Sequence, residues 1–225
     1  METTIEYSSD IAFTPAVKSI QHRKGSRFTY ARMEARGGWQ TAVTPDLVEF
    51  IAGQRSFFLA TANAQGQPYI QHRGGPPGLL RVVDEHTLAF ADFKGNRQFI
   101  SQGNLEENAR AFIFLIDYAS QRRIKIWGNA RVVEGDQALT ASLMPEGYKA
   151  RPEQVILFHV EAWDSNCPQH IPRRFEAEDV EREIAVRDAR IAALEDQLAR
   201  SPNRAGPENG PENQKTKTIL RGLTL

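Results

Sequence analysis

Two short polar stretches contain the first group of side chains in this sequence that could bind a ligand. The first, Gln71-His72-Arg73, places three hydrogen-bond donors in a row before the paired glycines Gly74-Gly75. Because glycine lets the backbone approach a ligand closely, this stretch suits a flat ligand with polar edges. The second leaves an apolar run at Asp92 and turns through Gly95-Asn96 to Arg97. An arginine fork together with turn N–H groups can bind a phosphate.

Antiparallel strands are the elements predicted to position both stretches. Residues 56–62 are rich in β-forming side chains and lead through a turn at 63–66 into a returning strand that ends at the first polar stretch. A hairpin over 79–90 leads to the second stretch. Three more strands are predicted, at 111–116 with both faces buried, at 122–133 with Gly128 suited to a bulge, and at 154–163. This pattern predicts a small antiparallel barrel.

Helices are predicted before, between and after the strands. Thr44 caps a helix that has Pro45 at its first position and stops at Gly53. Shorter helices are predicted at 15–20, 97–102 and 136–143. The chain is predicted to divide into an N-terminal arm (1–43), a barrel domain (44–175), an amphipathic helix (176–200) and a disordered tail (201–225).

The predicted C-terminal helix has one apolar stripe. Its apolar residues fall at heptad-like spacing, interrupted by Arg187, and they are Val180, Ile184, Ile191, Leu194 and Leu198. Fewer than four heptads are sustained, so docking on its own domain or on a dimer partner is favoured over an independent coiled coil.

Composition limits the classes of function. The chain has 225 residues and a formal net charge of zero, which argues against the basic surface of a nucleic-acid binder. The single Cys167 excludes an intramolecular disulfide. The first residues are acidic and no apolar run reaches transmembrane length, so we expect a cytoplasmic protein without membrane contact.

From about Phe57 to Phe175 the order of the motifs resembles the split-barrel flavoproteins related to pyridoxamine 5′-phosphate oxidase. Each motif is short and loose, and their common order is the stronger signal. The resemblance implies a mainly β (α+β) fold, a six-stranded antiparallel split β-barrel with flanking helices. It also implies that FMN binds at a homodimer interface.

The resemblance assigns cofactor contacts residue by residue. Gln71, His72, Arg73 and Gly74 would contact the flavin ring and ribityl chain. The turn Asn96-Arg97-Gln98 stands for the family's phosphate-binding Ser-Arg-Lys run, so Arg97 inherits the phosphate role and Gln98 removes one positive charge. The strand leading to this turn adds two residues to the predicted cofactor-binding set, Ala91 and Asp92.

Four later residues complete the predicted site. Arg123 stands where the family has a flavin-contacting Gln, and there it would meet phosphate or the pyrimidine edge of the ring, where positive charge stabilises the anionic reduced flavin. Trp163 and Arg174 resemble the family's Trp and the Arg of its Arg-Phe pair, contributed across the dimer. His170 is the candidate catalytic residue for orienting a substrate or transferring a proton, because its unperturbed pKa lies near working pH.

Departures from the family bear on the substrate. Gly75-Pro76-Pro77 lacks the family's phosphate-binding Lys, and 144–151 lacks its substrate-phosphate cluster. Gln169–Pro172 stands where the oxidase has its substrate-binding Arg and His, so oxidation of vitamin B6 is not expected.

The sequence therefore predicts an FMN-dependent oxidoreductase acting on an unidentified small molecule, with the need for a separate reductase left open. The alternatives are a split-barrel protein that binds deazaflavin or haem, and a non-catalytic flavin sensor or carrier. Roles without ligand binding remain open as well: His72 and Arg73 could form a solvated strand end, and Trp163 could pack in the core. Cys167 and His170 have metal-ligand spacing, but no second Cys/His pair completes a zinc site.

Overall fold

The computed structural model describes residues 6–166 and 168–201. These residues fall into two compact units, one ending at Arg174 and the other beginning at Phe175. Cys167 and the predicted tail beyond Ser201 lie outside the described residues, so the expected lack of a zinc site at Cys167 and the expected disorder of the tail stay predictions. Within the described residues, no helix combines the length and apolar content needed to cross a lipid bilayer.

The first unit is built on one antiparallel sheet. Its strands are β1 (Ser56–Ala62), β2 (Pro68–Gly74), β3 (Arg81–Asp84), β4 (Thr87–Phe93), β5 (Arg110–Asp117), β6 (Arg122–Val133) and β7 (Pro152–Asn166). They pair in the order β2-β1-β5-β6-β7-β4-β3. The α+β antiparallel fold class is confirmed, and the sheet has seven strands rather than the six that the family resemblance implies.

Helices flank this sheet. They are α1 (Pro15–Arg23), α2 (Arg27–Glu34), α3 (Pro45–Ala52), α4 (Ile100–Glu107) and α5 (Gln137–Leu143), and the second unit contains α6 (Ala177–Arg200). The Thr44 cap is confirmed, because the Thr44 hydroxyl accepts a hydrogen bond from the Leu47 N–H at 3.4 Å. The helix predicted at 97–102 begins only at Ile100. Arg97 and Phe99 have φ of 60° and 54°, which a right-handed helix excludes.

The sheet curls around a core. Phe57 on β1 and Phe90 on β4 are separated by three strands in the sheet order, yet their ring centroids are 5.0 Å apart. In a flat sheet four strand steps would hold them about 19 Å apart. Both rings are fully buried, as are Leu59, Ile113, Ile124, Ile126 and Phe158. Burying each such side chain contributes about 1.5–3 kcal/mol, so this barrel-like core is the main stabilising element.

Gly128 allows the predicted bulge. The register between β6 and β7 shifts between Trp127 and Gly128. A Cβ atom at Gly128 would lie 1.9 Å from the carbonyl oxygen of His159, so no larger residue fits there without displacing backbone. The prediction of a bulge or barrel bend at this position is confirmed.

The outer surface of the sheet carries an aromatic patch. Ala111, Ile113 and Leu115 of β5 are buried, whereas the alternate residues Phe112 and Phe114 are only half-buried on the opposite side. The prediction that β5 is buried on both faces is therefore wrong, since its second face is only partly covered. Phe58 lies directly opposite Phe114 in the β1–β5 pair. We call Phe58, Phe112 and Phe114 the outer aromatic face.

The N-terminal arm covers one end of this surface. Trp39 stacks on Trp127 of β6 with ring centroids 4.5 Å apart, and Phe13 packs edge-on against Trp39 at 5.0 Å. Trp127 in turn contacts Phe112 of the outer aromatic face. The arm therefore packs on β6.

Candidate functional site

A small cavity lies where β2 and β4 approach each other across the open side of the sheet, and we call it the polar cavity. Its volume is about 50 Å³. Six of the predicted cofactor residues line it: Gln71, Arg73, Asp92, Asn96, Arg97 and Gln98. The two polar stretches that the sequence singled out thus meet at one place.

Strand alternation divides the first polar stretch between two surfaces. Gln71 and Arg73 line the polar cavity, whereas His72 packs edge-on against Phe58 with ring centroids 5.4 Å apart. His72 therefore belongs beside the outer aromatic face, and Gly74, two residues on, shares its side of the strand. A Cβ atom at Gly74 would lie 3.0 Å from His72 Cε1, so this glycine gives the imidazole room.

Arg73 and Asp92 form an ion pair across the cavity floor. Their side chains are only 12% and 13% exposed. Asp92 also accepts a hydrogen bond from the Gln154 side-chain amide at 3.0 Å. Arg73 Nε is buried and makes no hydrogen bond within the described residues. Asp92 thus positions Arg73, and one Arg73 donor is left without an acceptor.

The loop between β4 and α4 presents Arg97. The left-handed backbone at Arg97 and Phe99 costs of order 1–3 kcal/mol per residue, and such strain is concentrated at binding sites. The Asn96 side-chain oxygen accepts a hydrogen bond from the Gln98 N–H at 3.1 Å, which holds the turn. The Arg97 guanidinium lies 5.4 Å from the Phe99 ring centroid, and its Nε lies 3.4 Å from Glu153 Oε1.

Several lining residues were not found from the sequence. The Ser101 hydroxyl donates a hydrogen bond to Gln71 Oε1 at 2.9 Å and orients that amide. Tyr69 also lines the cavity, and the two-residue period through Gln71 could have identified it. Glu153 and Gln154 reach the cavity because β7 pairs with β4, and no sequence spacing shows this.

Three predicted cofactor residues lie elsewhere in the first unit. Ala91 is buried in a small apolar cluster with Ala89, Leu143 and Val155. Trp163 is 7% exposed, and its indole N–H donates a hydrogen bond to the Ala42 carbonyl at 2.8 Å. Arg123 lies on β6 opposite Ile116 of β5 and shares the outer side of the sheet with Phe114. None of the three lines the polar cavity.

His170 and Arg174 also lie away from the polar cavity. His170 is exposed in a turn and has a φ of 66°. The Arg174 guanidinium lies 4.7 Å from the Tyr118 ring centroid. The neighbouring Ile171 is buried and its carbonyl accepts a hydrogen bond from the Gln121 side chain at 2.5 Å. The predicted role of both residues across a dimer stays a prediction.

The charges in the polar cavity balance. Two arginines, Arg73 and Arg97, face two carboxylates, Asp92 and Glu153. The Arg73 pair is mostly buried, whereas Arg97 is 59% exposed. The arrangement can bind an anionic group through Arg97 and the turn, and it offers no group of three or more metal ligands within the described residues.

Comparison with known proteins identifies the family to which the chain belongs. Residues 43–167 match the sequence model of the family described as pyridoxamine 5′-phosphate oxidase. This segment includes every strand of the sheet and the polar cavity. None of the curated proteins is similar enough in sequence to count as a match.

Solved structures show low similarity. HupZ of Group A Streptococcus is 22% identical, with 59% of this chain and 99% of that chain covered and a TM-score of 0.46. An FMN-binding protein from Syntrophomonas wolfei is 11% identical, with 65% and 97% covered and a TM-score of 0.43. A putative pyridoxamine 5′-phosphate oxidase from Lactobacillus delbrueckii is 19% identical, with 56% and 95% covered and a TM-score of 0.43.

Proposed function

The chain belongs to the pyridoxamine 5′-phosphate oxidase family, and on that premise we propose that it is an FMN-binding oxidoreductase acting on a small molecule. The observation that carries the proposal is the polar cavity, where Arg97, its turn and Arg73 lie together. Oxidation of vitamin B6 is not part of the proposal, because the substrate-binding side chains of the family are replaced.

The residues of the polar cavity fit the phosphate end of FMN. Arg97 offers a planar fork, and the Asn96–Gln98 turn adds polar groups beside it. Arg73, paired with Asp92, places a second guanidinium group at the floor of the cavity. Gln71, oriented by Ser101, would donate to a polar atom further along the cofactor.

One chain alone does not hold the whole cofactor in this cavity. Its volume of about 50 Å³ accepts a group the size of a phosphate, whereas complete cofactor sites enclose roughly 300–1,000 Å³. We propose that the rest of the site comes from another surface. We assign it to a second copy of the chain, so that the cofactor lies at a homodimer interface.

The outer aromatic face supports this assembly. Phe58, Phe112 and Phe114 are half-buried, and the neighbouring Ile70 is 60% exposed. Covering them would contribute about 25 cal/mol for each Å² of apolar surface buried. In such a dimer His72 and Arg123 lie at the interface, and the partner's loop would present His170 and Arg174 to the cofactor.

The chemistry follows from the cofactor. When bound, FMN would supply a ring able to accept a hydride or an electron pair, and protein donors near the ring would tune its potential. The proposed task of Arg97 is to anchor the phosphate and that of Gln71 is to orient the cofactor. His170 is proposed to orient the substrate or transfer its proton, since an imidazole exchanges protons near neutral pH.

The visible spectrum of the protein purified without added cofactor tests the proposal. Oxidised-flavin bands, with FMN released on denaturation at about one per chain, are the expected result. A spectrum typical of haem or deazaflavin would show that this cofactor, rather than FMN, is bound. A colourless protein that also fails to bind added FMN would contradict the proposal. With FMN bound but no reductant oxidised, the protein would be a flavin sensor or carrier.

A further inference from the structure

Glu153 lies where it can interfere with a phosphate at Arg97. Its Oε1 atom is 3.4 Å from Arg97 Nε, and both side chains line the polar cavity. We infer that Glu153 competes with the phosphate of the ligand for Arg97 and thereby limits how strongly the site prefers FMN over riboflavin. This inference rests on the proposed function.

The two ion pairs of the cavity differ in how easily a ligand can replace the carboxylate. The Arg73–Asp92 pair is mostly buried, and Gln154 holds Asp92 as well. Separating a buried pair is costly because it leaves uncompensated charges. Arg97 is 59% and Glu153 26% exposed, and exposed pairs contribute little. Arg97 is therefore the cation that a phosphate can capture.

The Glu153 carboxylate weakens phosphate binding in two ways. Before binding it neutralises Arg97, so the four charges of the cavity sum to zero. After a phosphate displaces it from Arg97, it still lies on the cavity wall beside a group of the same sign. Like charges in contact across a site reduce affinity and raise specificity against the charged ligand. Riboflavin has no phosphate and escapes both effects.

The Glu153→Gln variant removes the charge and keeps the shape of the side chain. We expect its Kd for FMN to fall about fivefold to tenfold, while its Kd for riboflavin stays within about twofold. The gain should shrink as salt is raised from 20 to 300 mM, because the Debye length falls. Quenching of flavin fluorescence on titration measures both constants.

Glu49→Gln is the matched control. Glu49 is exposed on α3 and does not line the cavity, so this variant removes one negative charge without touching Arg97. Its Kd for FMN and its Kd for riboflavin should equal those of the parent. A thermal melt of each protein without flavin checks that Glu153→Gln remains folded.

The outcomes separate the inference from the proposed function. Equal FMN affinity in the parent and Glu153→Gln overturns the inference and leaves FMN binding standing. An equal gain for riboflavin overturns it too, because the effect would not involve phosphate, and so would an equal gain in Glu49→Gln. If none of the three proteins binds FMN, the proposed function itself fails and the inference with it.

Discussion

The two sides of strand β2 differ in whether contacts within one chain hold their side chains in place. On one side, Gln71 and Arg73 are bound by Ser101 and Asp92, and these contacts form the floor of the polar cavity. On the other side, Ile70 and His72 stand beside the half-buried outer aromatic face. The first side is preorganised by its own chain, and the second exposes apolar surface that an additional partner would cover. One strand thus lines the polar cavity with its odd-numbered residues and presents its even-numbered residues beside the outer aromatic face.

The largest effect is expected where the preorganised side is broken. Asp92→Asn should lower the free energy of unfolding by about 3 kcal/mol, because it leaves the buried Arg73 guanidinium without its counter-charge. Urea unfolding measures the change. Asp46→Asn is the control, since Asp46 pairs with Arg122 at an exposed site and should cost less than about 1 kcal/mol. Equal losses in both variants would show that the Arg73 pair is no more buried in solution than the control pair.

A charge on the other side of β2 tests the assembly surface. Ile70→Asp should weaken self-association about 100-fold, because an uncompensated carboxylate would be buried in the dimer. Ile70 is 60% exposed, so the isolated chain should lose no more than about 1 kcal/mol of stability. Sedimentation over a range of concentrations measures the association.

Val83→Asp is the control for that prediction. Val83 is an exposed apolar residue on strand β3 with 54% exposure, and it is not next to the outer aromatic face. It should leave association unchanged. Unchanged association in Ile70→Asp, or a parent that sediments as a monomer with FMN bound, would remove the second copy from the proposed site.

Arg97→Ala separates ligand binding from folding within the polar cavity. We expect the Kd for FMN to rise about 30-fold, because a charge-assisted hydrogen bond to phosphate is worth about 2 kcal/mol. The stability without flavin should change by less than about 0.5 kcal/mol, since Arg97 is 59% exposed. Arg23→Ala removes an exposed arginine outside the cavity and should leave the Kd unchanged. FMN affinity retained by Arg97→Ala would refute the phosphate role.

The smallest effect concerns the arm that covers the β6 end of the outer surface. Burial alone would raise the pKa of Asp10. The Lys18 ammonium, 2.6 Å from Asp10 Oδ1, and hydrogen bonds from the Tyr7 and Glu6 N–H groups to Oδ2 outweigh burial and hold that pKa below its usual range. A carboxyl whose pKa is lowered by folding stabilises the fold above its unfolded pKa of about 3.9, and this contribution is lost as pH falls through the folded value.

Asp10→Asn should therefore cost about 1 kcal/mol or less at pH 7 and progressively less toward pH 3, because the carboxyl of the unfolded parent becomes protonated there before that of the folded parent does. Thermal melts of both proteins between pH 3 and pH 7 measure the difference. A difference that grows toward acid would show that the pKa of Asp10 is raised instead. FMN binding should be the same in both proteins, because Asp10 does not line the polar cavity.

Local signals in the sequence predicted most elements of the fold. The Thr44 cap depends on its immediate neighbours, and the bulge was indicated by a glycine inside a predicted strand; both are confirmed. Strand β5 was predicted less well, because a continuous apolar run shows that both faces are apolar but not that both are covered. The start of α4 was predicted three residues too early, because Arg97 and Phe99 have positive φ although neither is glycine, the residue that usually indicates such a conformation.

The candidate site was predicted in part. The stretch 71–74 was assigned to the ligand as a block, whereas only Gln71 and Arg73 line the polar cavity, because side chains of a strand alternate. Ser101 and Glu153 were missed. They come from α4 and β7, and nothing in their own sequence surroundings links them to Gln71 or Arg97.

The sequence by itself determined which residues could do chemistry and which segments become strands, since donor type, glycine, caps and alternation are properties of a residue and its near neighbours. Only the tertiary structure decided which of these residues meet. Four strands separate β2 from β4 in the sheet order, and curling of the sheet around its apolar core brings Arg73 to Asp92. The same curling, with the pairing of β4 and β7, places Glu153 at Arg97. The physical reason is that burial of apolar surface is non-directional, so it drives closure of the sheet while the register of the strands selects the polar contacts at its edge.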